Sequence, residues 1–270
     1  MNMLMTKIIL ELNKSIEENA SFYYETAKRI KKKRLGAEEA LAKNLVKLEQ
    51  VKKEQLKEEI HKTKSPPRKK EWYEKFRWFI TSTGFLVIGG RDATSNEIII
   101  KKYTDDGDVV FHTDLAGSPF FIIKSQLDVP PYNHDSSIND STLKEVADAT
   151  VSYSRTWRLG LANSPVFYVK PEQVTKEAPS GEYLVKGAFV IKGKTNYVAN
   201  KMDIAIGLAK DGKVMGGPIE AIKTHCEKFV EIVQGKEKAS AVAKYIQKKI
   251  GGTVDEIVAV LPSGGCAIKR

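Results

Sequence analysis

From Ile9 onward an apolar or aromatic side chain returns at almost every seventh residue: Ile9, Ile16, Tyr23, Ile30, Ala37 and Val51, with Asn44 the polar exception. Four residues on from each lie Asn13, Ala20, Ala27, Arg34, Leu41, Leu48 and Gln55. The phase does not slip at Gly36, as it would at a turn. The spacing therefore predicts one long helix through that glycine, despite a cost of about 1 kcal/mol for glycine inside a helix. Some 50 residues at ~1.5 Å rise make a rod of about 75 Å. A single rod cannot bury its own stripe, so it needs a coiled-coil partner: a returning segment, a second copy or another protein. Ser65-Pro66-Pro67 ends it, because prolines remove donors and disfavour helix in the residue before them. Residues 68–76 are predicted as a short return helix that carries Trp72, Tyr73 and Phe76 onto a globular part.

The pattern then changes period. Trp78-Phe79-Ile80 and Phe85-Leu86-Val87-Ile88 flank Ser82-Thr83-Gly84 and read as a hairpin. Gly89-Gly90 frees the backbone for positive φ or for close approach of another group. Arg91-Asp92 follows, and Asp92 or Thr94 is placed to cap a helix over 97–103. One reading of this stretch is a hairpin feeding a helix with a buried ion pair. The other is a binding rim in which exposed N–H groups, a guanidinium and a helix N-terminus meet an anion such as phosphate. Further strands are predicted over 108–112, 120–124, 166–169, 183–185, 189–192, 203–208, 229–233 and 256–261. Helices are predicted over 140–154, capped by Asn139 or Ser141, and over 236–250; residues 126–137 form an exposed excursion, and Gly216-Gly217-Pro218 a turn. Strands dominate with few βαβ alternations. The fold class is thus α+β: a strand-rich C-terminal domain with peripheral helices (78–270), a break and short helix (66–77), and a long coiled-coil helix arm (1–65).

Charge sharpens this division. Lys and Arg number 44 against 34 Asp and Glu, a net +10. Residues 1–77 hold 20 of the former and 12 of the latter, leaving only +2 for the remainder. A basic arm favours a polyanionic partner, although it also serves as a plain solvated face. Its densest cluster is Lys28, Arg29, Lys31, Lys32, Lys33 and Arg34. Cys226 and Cys266 form no C-x-x-C pair, which argues against a disulfide scaffold or zinc site and fits a reducing cytosol. The first twelve residues are too short and interrupted for a signal peptide or membrane span, so a cytoplasmic protein away from membranes is expected.

No P-loop, GxGxxG, HExxH or GxSxG motif is present, so no cofactor, metal or catalytic constellation is expected. His112 and Asp114, two apart on a strand, share a face and could form a His–carboxylate pair or a structural hydrogen bond. A second polar set comprises Gln173, Lys176, Glu182, Lys186, Lys192, Lys194, Asn196 and Tyr197 beside Gly-containing turns. Lysines and an aromatic in that setting suit single-stranded RNA, or equally an edge strand guarded by lysines.

Three ordered motifs, WFITSTGFLVIGGRDATSNEIIIKKY, GDVVFHTDLAGSPFFIIKS and QVTKEAPSGEYLVKGAFVIKGKTNY, resemble the NFACT-R domain that closes the NEMF/RqcH/FbpA proteins of ribosome quality control. SIEENASFYYETAKRIKKK is similar to the start of that family's coiled coil, so the resemblance spans nearly the whole chain. Family members carry an NFACT-N domain and helix-hairpin-helix segments before it, which these residues do not match. Ala116 stands where the pattern has a second histidine, and Gln234-Gly235 replaces a Pro-Gly turn. The resemblance implies RNA binding on the obstructed large ribosomal subunit and to tRNA, with the coiled coil reaching across its surface or engaging a second chain. Alternatives are an RNA-modifying enzyme using His112 and Asp114 near Arg91, or an adaptor whose arm pairs with a separate NFACT-N-type chain. Residues matching the family motifs are Arg91, Asp92, Asn96, His112, Asp114, Lys176, Lys192, Lys194 and Asn196.

Overall fold

The computed structural model describes residues 8–62, 70–126, 137–177 and 184–269. Two units emerge, Met1–Lys69 and Lys70–Arg270. The first is built on helix α1 (Ile16–Lys62), which runs uninterrupted through Gly36 as the periodicity predicts. Ser15 and Glu18 cap it reciprocally: each backbone N–H donates to the other's side chain, at 2.8 and 3.2 Å. Ile9 is not on the helix. It folds back, its carbonyl accepting from Tyr23 Oη at 2.6 Å, while the buried Asn19 amide donates to the Glu11 and Ser15 carbonyls. The stripe Ile16, Tyr23, Ile30, Leu41, Leu48 and Val51 is exposed.

The second unit begins with a short 3₁₀ turn, Trp72–Lys75, rather than a full return helix. It buries Tyr73 and stacks Trp72 on Tyr103 at 4.9 Å. Strands β1 (Arg77–Ile80) and β2 (Leu86–Gly89) form the predicted hairpin, with Phe79 opposite Val87. Helix α2 starts earlier than predicted, spanning Ala93–Lys102, because Asp92 captures the Ser95 N–H at 2.8 Å. Strands β3 (Val109–Thr113) and β4 (Phe121–Ile123) follow, then helix α3 (Asp140–Ser152), capped by Asn139, and short helix α4 (Arg155–Leu159). Strand β5 (Val166–Val169) is succeeded by short strands β6 (Val174–Thr175), β7 (Val190–Ile191) and β8 (Asn196–Val198). Next come β9 (Ile204–Ala209), β10 (Val214–Gly217), α5 (Ile219–His225) and β11 (Cys226–Glu237). Helices α6 (Ala239–Ile250) and α7 (Val254–Val260) and strand β12 (Cys266–Ile268) close the unit.

These strands form an antiparallel six-stranded sheet, β1-β2-β4-β3-β5-β8, a four-stranded sheet, β10-β9-β11-β12, and the pair β6-β7. A close approach joins the two larger sheets: a Cβ on Gly217 would lie 2.8 Å from the Phe79 ring. Helix α3 packs on β3 with Val146, Ala147 and Val151 buried. Both thiols are buried and free, and burial pushes Cys226 up to about 12 and Cys266 to about 11, so neither is a ready nucleophile. Among the described residues no helix is long and apolar enough to cross a membrane.

Several elements depart from the pattern. Residues 256–261, expected as a strand, are helical up to Val260, and Val254, Ile257, Val258 and Leu261 follow helical spacing. The Thr253–Glu256 capping box starts α7, and the closing strand is β12 instead. Gly216-Gly217-Pro218 is the end of β10 and the cap of α5 rather than a turn, with Gly216 packed against Tyr153 and Val260 and Gly217 against Phe79 of the other sheet. The predicted start of α6 at 236 belongs to β11, where Glu237 pairs with Cys266 across a bulge. Leu184 and Val185 join no sheet, while Tyr183, Pro66, Pro67 and most of 126–137 lie outside the described residues. Gly89 and Gly90 use close approach and have no positive φ: a Cβ on Gly90 would sit 1.7 Å from Asn96 Oδ1.

Gly90→Ala is expected to destabilise the unit by about 1–3 kcal/mol in urea unfolding. Gly36→Ala, whose Cβ meets nothing within 4 Å, is expected to raise the stability of α1 by about 1 kcal/mol in thermal melts followed by circular dichroism.

Candidate nucleic-acid interface

Where β2 ends, the chain passes Gly90-Arg91-Asp92 into α2 along one wall of a cleft of about 530 Å³. The Asn96 amide ties this wall to the next: its oxygen accepts from Phe120 N at 3.2 Å and its nitrogen donates to the Ser118 carbonyl at 3.4 Å. The Gly90 N–H adds a bond to the Phe120 carbonyl at 3.0 Å, and the Asn96 amide packed against Gly90 leaves no room for a Cβ there. Residues 116–120, the turn from Tyr153 into α4, residues 185–189 and Ser263 complete the lining.

Among the described residues five cations reach this cleft, Arg77, Arg91, Arg155, Arg158 and Lys186, against the one carboxylate of Asp92. Arg77 is 6% exposed. Its Nη1 donates to the Leu261 carbonyl at 3.0 Å and its Nη2 to Ser263 Oγ at 3.3 Å, while the guanidinium lies 4.3 Å above the Tyr153 ring. Its buried Nε has no hydrogen-bond partner. Arg91 is anchored by Nη2 to the Phe76 and Glu74 carbonyls at 2.9 and 3.2 Å. Burial lowers the pKa of both arginines, and for Arg77 the neighbouring Arg91 charge adds to the effect. Among the described residues, no carboxylate lies within ion-pair distance of any of the five. Asp92 is occupied as the α2 cap. The Ser95 N–H chiefly holds its pKa down, with Lys186 contributing through space.

His112 also lines the cleft, its ring tilted at 31° to that of Phe120 with centroids 4.2 Å apart. Its Nε2 meets the Ser118 carbonyl at 3.2 Å; a carbonyl only accepts, so Nε2 carries the proton. Burial lowers its pKa, opposed by backbone hydrogen bonds at Thr113 and Ser118 and, more weakly, by Asp114 through space. Asp114 does not pair with it by hydrogen bond and instead accepts from Tyr197 Oη at 3.2 and 3.3 Å. The predicted residues therefore separate. Arg91, Asp92, Asn96 and His112 meet in the cleft. Asp114 and Asn196 lie near β8, the outer edge of the large sheet. Lys192 pairs with Glu177, and the Lys194 carbonyl accepts from Gln173 at 2.9 Å. Lys176 sits 3.5 Å from Glu97 and over the Phe189 ring at 4.7 Å. Glu97 also accepts from the Gly187 N–H at 3.3 Å, which holds 184–189 against the start of α2. The Lys101 hydrogen bond is the main cause that holds Glu97 down at about 2. Lys28, Arg29, Lys31, Lys32, Lys33 and Arg34 belong to α1 in the other unit, exposed along it.

No motif in the sequence marks Arg77, Arg155 or Arg158, and Lys186 stands there only as one of the polar set. Arg77 opens an apolar strand and reads there as an edge residue. The three-residue spacing of Arg155 and Arg158 was the available signal, since it puts both on one side of a helical turn. Among the described residues, no group of three His, Cys, Asp or Glu could hold a metal.

The fold and the cleft define an α+β domain with a cleft lined by five cations and, among the described residues, one carboxylate. Residues 75–193 match the NFACT protein RNA binding domain, and this chain carries the NFACT-R domain of the ribosome quality-control family. The Archaeal Rqc2 homolog aRqcH of Methanocaldococcus jannaschii is 42% identical over 80% of this chain and 31% of that protein. Human Ribosome quality control complex subunit NEMF is 39% identical over 67% of this chain and 16% of its own length. The chain thus spans less than a third of either relative. A solved C-terminal part of the fibronectin/fibrinogen-binding protein of Streptococcus suis aligns at TM-score 0.36 and 16% identity, covering 51% of this chain and 49% of that one, too loosely to carry an argument.

Because burial lowers the pKa of His112 and of His225, folding disfavours their protonated forms. Stability is therefore complete above the ordinary histidine range near 6.5 and falls as pH drops below it. His112→Gln is expected to flatten that acid-side slope by at most about 1.4 kcal/mol per pH unit, measured by urea unfolding across pH.

Proposed function

We propose that this chain binds RNA within ribosome-associated quality control, engaging the large ribosomal subunit and tRNA. The observation that supports this reading is the set of five cleft cations that have no carboxylate partner among the described residues, in a domain matching an RNA-binding family. Unpaired guanidiniums recognise phosphate through planar, charge-assisted hydrogen bonds. The relatives bear the names of ribosome quality-control subunits, which supports the setting. The α1 cluster Lys28, Arg29, Lys31, Lys32, Lys33 and Arg34 supplies further phosphate contacts. RNA modification by His112 and Asp114 finds no support in the geometry, since each is bonded elsewhere.

Affinity for large subunits or tRNA is expected to fall steeply with salt, by about a thousandfold between roughly 50 and 200 mM for about six phosphate contacts. Binding that is absent, or equal at both salts, refutes the reading. Reversing Lys31, Lys32 and Lys33 to Glu is expected to weaken binding and flatten the salt dependence.

The exposed stripe of α1 favours a role for the arm in pairing with a second chain as a coiled coil. Sedimentation of the purified chain is expected to show a concentration-dependent dimer that Ile30→Asp and Leu41→Asp abolish. A monomer at every concentration would leave another protein as the partner.

A further inference from the structure

RNA binding in general does not say what the cleft itself grips. We propose that the cleft holds the phosphate of one nucleotide in a single-stranded RNA segment, with Arg77 as the buried contact and Arg91, Arg155, Arg158 and Lys186 around it. The inference rests on the RNA-binding reading and assigns it a particular site.

Arg77 is the first reason. A buried charge is ordinarily paired with an opposite one, because burial removes its hydration. Here one carbonyl and one hydroxyl fix the Nη atoms, no carboxylate among the described residues pairs with the charge, and the buried Nε lacks any acceptor. Convergence is the second. Cations arrive from β1, from the start of α2, from two positions on α4 and from residues 184–189, segments far apart in the chain. Their mutual repulsion is relieved by an anion among them. Size and lining are the third. About 530 Å³ lies within the range of small-ligand sites and suits one nucleotide rather than a duplex. Beside the cations stands an apolar wall of Phe120 between the His112 ring at 4.2 Å and Phe189 at 5.4 Å. A phosphate together with a flat or apolar group fits such a lining better than a bare ion. Single-stranded RNA offers that combination with unstacked bases.

The test uses the full chain and a fluorescent oligouridylate, titrated by anisotropy at several salt concentrations. Arg77→Gln is expected to unfold the domain by removing its buried anchor, so the decisive variant is the exposed pair Arg155→Gln with Arg158→Gln. It is expected to bind the RNA about tenfold more weakly and to lower the log–log salt slope by about 0.7, the share of one phosphate on a single strand. Uridine monophosphate is expected to compete with the RNA on the unaltered chain and to raise its melting temperature, and the double variant is expected to lose the melting shift. If the unaltered chain binds RNA and the double variant binds it equally well, the cleft assignment is overturned while the RNA reading stands. If the chain binds no RNA, the RNA reading itself fails. A melting shift from uridine monophosphate or inorganic phosphate that survives alone would then mark a free-phosphate site and overturn the RNA source. Equal displacement of the RNA by oligoglutamate would reduce the cleft to a general polyanion surface and overturn the assignment as well.

Discussion

A single guanidinium holds the two ends of the globular unit together. Arg77 opens β1, yet its hydrogen bonds go to Leu261 and Ser263, past the end of α7, and its face rests on Tyr153, whose hydroxyl donates to Val260 at 2.8 Å. The first strand, the end of α3 and the last helix thus meet around one buried positive charge. For packing alone an apolar side chain of similar volume would serve at least as well, because burying an ion costs hydration. What an apolar side chain cannot supply is positive charge at the floor of a cleft. The same contacts that close the domain also aim that charge.

Around this floor the other polar groups divide into those that build and those that remain available. Asp92 is used as a helix cap, Asn96 as a bridge between two backbone segments, and His112 as a donor to Ser118. Lys176 and Glu97 hold residues 184–189 against α2. Arg155, Arg158 and Lys186 line the cleft, are exposed and carry no ion pair among the described residues. Ala116, at the rim where the family pattern has histidine, leaves His112 without a second imidazole beside it in sequence. The cleft is therefore predominantly cationic, with the polar residues that look chemically suggestive occupied in shaping it.

The two units depend on different physics. In α1 the information is local: a heptad stripe, a capping box at Ser15–Glu18 and a basic run define a helix whose apolar face stays exposed. In the globular unit stability comes from long-range strand pairing, sealed by bare glycines where sheets and loops touch, at Gly90 against Asn96 and at Gly217 against Phe79. Such contacts join residues far apart in the chain, and no local period announces them.

By itself the sequence determined the long helix through Gly36, the opening hairpin, the α+β class and the family, because those rest on short-range period and on ordered motifs. It also located Arg91, Asp92, Asn96 and His112, which lie close together along two of those motifs. It misread 256–261 because a short apolar run suits strand or helix alike, and the capping box at Thr253 decided for helix. Only the tertiary structure decided which cations share a site. Arg77, Arg155, Arg158 and Lys186 converge through sheet order and through the docking of residues 184–189, and whether a charge is paired or buried is a property of its neighbours in space.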